Sequence, residues 1–225
     1  MPKSAKQTTL RSHVAVFGIG VHSGLSATLT LHPADADTGI TFVRTATADR
    51  PEREIRADVR AVTATEFATV LGDSSGPLCS TAEHLLAALR GLGVDNAVVE
   101  IDGAEVPIMD GSAQPFVDAI DQVGLTTLNA PRRCVEVLRP IRVVIGNGMG
   151  ELRPSSHGFR VESELARERG CLVQRFDCAA RLVVHRLAQI AVDPLEAAVH
   201  PMFTNDALDR SNRGEARIPD GLRVI

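Results

Sequence analysis

The hydrophobic pattern changes its period along the chain, and this change limits the possible folds more than any other feature. Every second residue from Ala27 to Leu31 is apolar, which is the pattern of a half-buried β-strand. In residues 81–92 the apolar residues recur at positions i, i+3, i+4 and i+7, beginning at Leu85, and this spacing forms one face of a helix. A chain with both patterns is predicted to have an α+β fold.

Further segments predict the order of the elements. Polar turns separate short β-rich runs, and a second amphipathic run, with Phe116, Ile120 and Val123 on its apolar face, follows the first helix. The predicted elements are two strands around a glycine-rich turn in 13–33, strands in 38–45, 67–72 and 96–102, an ambiguous strand and turn in 54–62, a helix in 81–92, a turn followed by a helix in 107–124, one or two strands in 133–148 and a hairpin in 150–163. The two helices are long enough to cover one face of a sheet.

Composition excludes several classes of function. The formal net charge is −4, and the chain has no Trp and no Tyr, so neither a basic surface nor stacking platforms for a nucleic acid are expected. No stretch approaches 18 uncharged apolar residues, so no transmembrane segment is expected, and the first residues lack the apolar core of a signal peptide. The four Cys form no C-x-x-C pair and are expected to be free thiols in a reducing cytoplasm.

Glu83 and His84 stand side by side at the start of the first predicted helix. One interpretation is structural, because Ser80 to Glu83 fits the capping box S-x-x-E, in which each side chain bonds a free amide of the first turn. The other is catalytic, because a carboxylate beside a histidine ligand can act as a general base at a zinc site. The nearby sequence contains neither H-x-x-x-H nor H-x-x-E-H, so the local pattern leaves both interpretations open.

His22 is a second candidate site residue. It lies between glycines in the segment GIGVHSG, where the small residues allow a ligand to come close. The alternative is an exposed turn histidine without a function. We take His22 as a candidate for substrate binding.

Several segments together resemble a known family. In chain order they are GIGVHSG, TLTLHPADADTGITFVRT, STAEHLLAALRGLGVDNAVVEIDGAEVPIMDGSAQPFV and ELRPSSHGFRV. These segments closely resemble the UDP-3-O-acyl-N-acetylglucosamine deacetylases, zinc amidases of lipid A biosynthesis in Gram-negative bacteria. The resemblance covers about residues 7–165, and the block 80–117 is its most specific part.

The resemblance implies a β-α-α-β layered sandwich of two similar domains, with the active site between them. It implies Zn²⁺ as cofactor, His84 as a zinc ligand and Glu83 as the general base for water. The implied reaction hydrolyses the 2-acetamido group of UDP-3-O-acyl-N-acetylglucosamine to acetate and a free amine. The protein is expected to be a cytoplasmic monomer that binds this small molecule and no nucleic acid.

The sequence departs from the family pattern toward its end. The family's second domain supplies two more zinc ligands as H-K-x-x-D, and this motif is not found here. We therefore predict a complete first domain in 1–130, the start of a second domain in 131–165, and a divergent tail in 166–225 that is either disordered or translated in a shifted frame. One helix, 193–199, is predicted within that tail. Three functions stay open: the deacetylase, an inactive remnant that lacks two zinc ligands, and a nucleotide-sugar-binding module.

Overall fold

The computed structural model describes residues 6–132, 134–145, 148–156, 159–167, 170–178 and 222–224. These residues form a mixed α+β structure, which confirms the predicted fold class. The strands are β1 (Lys6–Leu10), β2 (Val14–Ile19), β3 (Ser26–Pro33), β4 (Ile40–Arg44), β5 (Arg53–Arg56), β6 (Val62–Ala64), β7 (Val70–Asp73), β8 (Gly76–Cys79), β9 (Ala97–Ile101), β10 (Leu125–Pro131), β11 (Val135–Val137), β12 (Ile141–Ile145), β13 (Gly148–Leu152), β14 (Phe159–Arg167), β15 (Gly170–Cys178) and β16 (Leu222–Val224). The helices are α1 (Glu83–Leu92) and α2 (Gln114–Val123), and a 3₁₀ helix spans Val59–Ala61.

A five-stranded sheet with the strand order β2-β3-β9-β4-β5 is the largest sheet of the described residues. Neighbouring strands are antiparallel except β4 and β9, which are parallel. In β3 the apolar residues Ala27, Leu29 and Leu31 are buried, and the polar residues between them are partly exposed. This burial confirms the period-two pattern, because successive side chains of a strand point to opposite faces.

The helices bury the faces that their spacing predicted. Leu85 and Leu89 of α1 and Phe116 and Ile120 of α2 belong to one buried apolar cluster that also includes residues of the large sheet. The two helices pack against each other, and α2 also packs against β2. Gly93 ends α1 in the left-handed conformation, with φ of 78°, which glycine adopts without the steric penalty of a Cβ atom. No helix in the described part of the chain has the length and apolar character needed to span a membrane.

A small antiparallel sheet, β6-β7-β8, brings the chain to the start of α1. Strand β8 ends at Cys79, and the next residue, Ser80, forms an isolated parallel bridge with Glu105. The amide of Ser80 donates to the carbonyl oxygen of Ala104 at 3.0 Å. The residues just before α1 are therefore paired backbone rather than a free turn.

A buried network of side-chain amides joins β1 to the loops around it. The carbonyl oxygen of the Gln7 side chain accepts from the amide of Asp37 and from Nδ2 of Asn96, both at 2.9 Å. Nε2 of Gln7 donates to Oδ1 of Asp37 at 2.8 Å and to the carbonyl oxygen of Pro131 at 3.0 Å. Oδ1 of Asn96 accepts from the amide of Gly39 at 3.0 Å. The network links the end of β10 to the turn before β4.

Arg132 attaches the segment after β10 to the end of α1. Its Nη2 lies 2.7 Å from Oδ2 of Asp95 and donates to the carbonyl oxygen of Gly93 at 2.8 Å. The same Asp95 carboxylate accepts from the amide of Thr8 at 2.8 Å. A cation at a helix C-terminus is favourable because the last carbonyls carry partial negative charge.

The strands after β10 form antiparallel pairs, β12 with β13, β14 with β15 and β11 with β16. The predicted hairpin over 150–163 is therefore wrong. The first part of this segment belongs to β13, which pairs with the preceding strand, β12. The second part belongs to β14, which pairs with the following strand, β15. The alternation of apolar and polar residues predicts a strand, but it does not determine which strand pairs with it, because the strands before and after it show the same alternation. The helix predicted in 193–199 lies outside the described residues.

Cys79 and Cys134 are free thiols, as predicted. The prediction for Cys171 and Cys178 concerns side chains outside the described part.

Candidate functional site

The chain enters α1 through an unusual backbone conformation. Thr81 has φ of +58°, in the left-handed region that β-branched residues rarely adopt. Its hydroxyl donates to Oε1 of Glu105 at 3.0 Å. Ala82 occupies the N-cap position and makes no side-chain capping bond, so the first helical residue is Glu83.

The predicted capping box is wrong. Oε2 of Glu83 accepts a hydrogen bond from the amide of Thr69 at 2.9 Å, and the hydroxyl of Ser80 is 3.4 Å from the carbonyl oxygen of Ala104. A capping box needs the Glu at the third helical position, whereas Glu83 is at the first. The loop before β7 supplies the partner of this carboxylate, so a tertiary contact replaces the local one.

Glu83 and His84 form a buried pair. Each residue is only 6% exposed, and Nε2 of His84 lies 3.9 Å from Oε1 of Glu83. Nδ1 of His84 is buried and makes no hydrogen bond with any described residue. Buried polar atoms are normally paired, because a lost hydrogen bond to water costs about 1–3 kcal/mol. The pair thus offers a carboxylate held at one oxygen and an imidazole with a free nitrogen.

His22 lies in an exposed turn that contacts the same region. Its Nε2 is 3.2 Å from the carbonyl oxygen of Phe67, and its amide donates to Oε1 of Glu105 at 3.0 Å. The ring therefore contacts the loop whose Thr69 amide holds Glu83. The backbone of His22 is held by the same carboxylate that holds Thr81.

Glu105 is a residue of this region that the sequence analysis missed. It is 3% exposed, and it accepts from the amide of His22, from the amide of Ser23 at 2.8 Å and from the hydroxyl of Thr81. Burial raises the pKa of the Glu105 carboxyl, but the hydrogen bonds from Ser23, His22 and Thr81 outweigh it and hold the pKa below its ordinary value. The signal available in the sequence was an acid directly before Val106, within a run of small and apolar residues.

A shallow apolar groove lies along β2. Its walls include Phe17, Ile19, Ile108 and Met109. Neither Glu83 nor His84 lines this groove, so the candidate site is the buried pair rather than the groove.

The described residues contain no complete metal site. Among them, no group of three or more His, Cys, Asp or Glu side chains could hold a metal ion. A catalytic zinc takes three protein ligands, and a neutral imidazole nitrogen without another partner suits one of these positions. His84 therefore fits one ligand position, and the described part of the chain leaves the other two unassigned.

A buried carboxylate beside a buried imidazole is a pair that acid–base and metal-assisted hydrolysis use. Comparison with known proteins gives the family. A family model described as UDP-3-O-acyl N-acetylglycosamine deacetylase matches residues 7–188. The chain belongs to this family.

Similar proteins carry the corresponding name. A UDP-3-O-acyl-N-acetylglucosamine deacetylase of Vibrio cholerae serotype O1 is 45% identical over 160 residues, which are 71% of this chain and 52% of the relative. The protein of the same name in Phenylobacterium zucineum is 46% identical over 159 residues, which are 71% of this chain and 54% of the relative. The chain spans about half the length of the curated relatives that it matches.

Proposed function

We propose that this protein hydrolyses the 2-acetamido group of UDP-3-O-acyl-N-acetylglucosamine, releasing acetate and leaving a free amine, with Zn²⁺ as cofactor. This reaction is the committed step of lipid A biosynthesis. One observation carries the proposal. Glu83 and His84, adjacent in the matched segment, are buried together, with one carboxylate oxygen held and one imidazole nitrogen free.

Glu83 is the proposed general base. The Thr69 amide bonds Oε2, so Oε1 remains directed toward His84 and can accept a proton from an attacking water molecule. The resemblance assigns protonation of the leaving amine to a further His of the family's second domain, for which we propose no residue. The hydrogen bond from Thr69 orients the carboxylate without occupying Oε1.

His84 is the proposed zinc ligand, through its unpaired ring nitrogen. When bound, zinc would polarise the amide carbonyl and lower the pKa of nearby water. Two further ligands are required, and we propose no residues for them.

His22 is proposed to bind substrate from its exposed turn. Val21, beside it in the chain, is 56% exposed, and Phe67, whose carbonyl its ring approaches, is 73% exposed. Exposed apolar side chains next to a polar imidazole suit a substrate that combines an acyl chain with a sugar.

The proposal also includes the domain architecture of the protein. We infer a layered β-α-α-β sandwich, with residues 1–130 as the first domain, 131–165 as the start of a second, and 166–225 as a divergent tail. We also infer a monomer in the cytoplasm. The family match continues to residue 188, so it supports the assignment of residues 131–188 to the same family, including the first part of the inferred tail.

A second candidate is an inactive remnant of the family. The observations that favour it are that the sequence contains no H-K-x-x-D motif and that, among the described residues, no group of three or more His, Cys, Asp or Glu side chains could hold a metal ion. A third candidate, a nucleotide-sugar-binding module, would use the same first domain without turnover.

The test measures zinc content and acetate release by the purified chain, using Glu83→Gln with Glu100→Gln as the matched control. Glu83→Gln keeps an oxygen that can accept from Thr69, and we expect it to lower kcat by about 10²–10⁴-fold. Glu100 is a half-exposed carboxylate on β9, 3.6 Å from His32, and its variant should be as active as wild type. Undiminished turnover by Glu83→Gln would contradict the proposed base.

The same assay separates the alternatives. A folded chain without zinc and without acetate release supports the inactive remnant. Saturable binding of the UDP-sugar without turnover supports the binding module.

A further inference from the structure

One buried carboxylate collects hydrogen bonds from two distant segments at the edge of the candidate site. Glu105 accepts from the amides of His22 and Ser23 in the glycine-rich turn and from the hydroxyl of Thr81 at the entry to α1. Hydrogen bonds to an ionised carboxylate are among the stronger ones in proteins. The turn and the helix entry are therefore tied to the same anion.

Two routes lead from this carboxylate to the proposed base. The first runs through Thr81, whose left-handed backbone is two residues before Glu83. The second runs through the turn, since the ring of His22 contacts the carbonyl of Phe67, and the nearby amide of Thr69 bonds Glu83. A shift of Glu105 would move both supports of the Glu83 side chain.

The glycine-rich turn leaves space for the Glu105 carboxylate. A Cβ atom added to Gly20 would collide with Oε2 of Glu105 and with the hydroxyl of Ser23. Glycine at this position is thus required by the close approach of the carboxylate to the backbone.

We propose that Glu105 is a positioning residue, which locks the His22 turn onto the entry of α1 and so sets the geometry of Glu83 and His84. This role rests on the proposed deacetylase function. Glu105 acts through Thr81 and the turn and does not itself touch the reacting atoms. A displacement of about 1 Å in a catalytic group can lower turnover about a hundredfold, so a loosened clamp should show in kcat.

The experiment compares Glu105→Gln with Asp102→Asn in the full chain. Asp102 is also a carboxylate that accepts from a backbone amide, that of Thr28 at 2.8 Å, but it is exposed, and this hydrogen bond goes to β3 rather than to the turn. In Glu105→Gln, the NH₂ group of the new side chain faces one of the donors whose hydrogen bond the carboxylate accepts, so that hydrogen bond is lost. We expect amide hydrogen exchange of residues 20–25 and 82–86 to become at least about tenfold faster, and kcat to fall by about 10–100-fold with KM little changed.

A second variant keeps the test decisive if Glu105→Gln does not fold. Thr81→Val replaces the hydroxyl with a methyl group of similar size, so it should lower kcat while leaving the exchange of residues 20–25 unchanged. Glu105→Asp, which retains the charge, should recover part of the activity of Glu105→Gln. Asp102→Asn should match wild type in both measurements.

The results have distinct meanings. Unchanged exchange in the turn and unchanged kcat in Glu105→Gln would overturn the positioning role. A purely structural role would instead lower the melting temperature and leave kcat per folded molecule intact, which would also overturn it. If the wild-type chain releases no acetate, the deacetylase proposal fails, and local exchange in residues 20–25 and 82–86 still decides whether Glu105 holds these segments.

Discussion

Replacing Asn96 by Ala should strongly destabilise the first part of the chain. Asn96 is 1% exposed, and its side chain accepts from the amide of Gly39 and donates to Oε1 of Gln7. Gln7 keeps its bond from the Asp37 amide, so the lost contact there costs about 0.5–1.5 kcal/mol. The amide of Gly39 loses its described partner, and a buried unpaired donor costs about 1–3 kcal/mol. The free energy of unfolding should therefore fall by about 1.5–4.5 kcal/mol.

Thermal unfolding measures this effect. For a domain of this size, each kcal/mol lowers the melting temperature by about 4 °C, so the expected decrease is about 6–18 °C. Asn129→Ala is the matched control, because Asn129 accepts only from the exposed amine of Lys6 in the described contacts, and such a change should stay within about 0.5 kcal/mol. A melting temperature for Asn96→Ala within about 2 °C of wild type would refute the claim that this network is buried and fully paired.

Three further outcomes are expected. Phe116→Ala should lower the free energy of unfolding by about 3–5 kcal/mol, measured in urea, because the side chain is fully buried; a loss below about 1 kcal/mol would show that the α2 face is not in the core. Burial raises the pKa of the Cys79 thiol to about 12. A thiol reagent at pH 8 should therefore label the exposed Cys134 and leave Cys79 unlabelled, which peptide mass spectrometry would measure. Rapid labelling of Cys79 in the folded chain would contradict its burial. Arg132→Ala should lower the free energy of unfolding by about 1–3 kcal/mol in the same urea experiment, because it removes the ion pair with Asp95 and the hydrogen bond to the carbonyl oxygen of Gly93 at the end of α1. An unchanged urea midpoint would show that these contacts do not stabilise the fold.

The elements of the fold follow largely from local pattern. The alternation through Ala27 to Leu31 and the spacing from Leu85 placed β3 and α1 within two residues of their observed bounds. The face of α2 around Phe116 was also predicted. These predictions succeed because the periods of a strand and a helix are properties of the local backbone.

Partner choice was not predictable in the same way. The hairpin expected in 150–163 is divided between two other strand pairs, and the capping box at Ser80 is replaced by contacts with Thr69 and Ala104. In both places the local pattern is compatible with the wrong partner, and only distant segments exclude it.

The candidate site shows the same division. The sequence alone determined that Glu83 and His84 are the residues to examine, since their motif lies in the most specific part of the family resemblance. Only the tertiary structure decided that Thr69 holds one oxygen of Glu83 and that Glu105 joins the His22 turn to Thr81. The physical reason is that residue types and short spacings are properties of the sequence itself, whereas a hydrogen bond between positions 22 and 105 forms only after the sheet has brought them together.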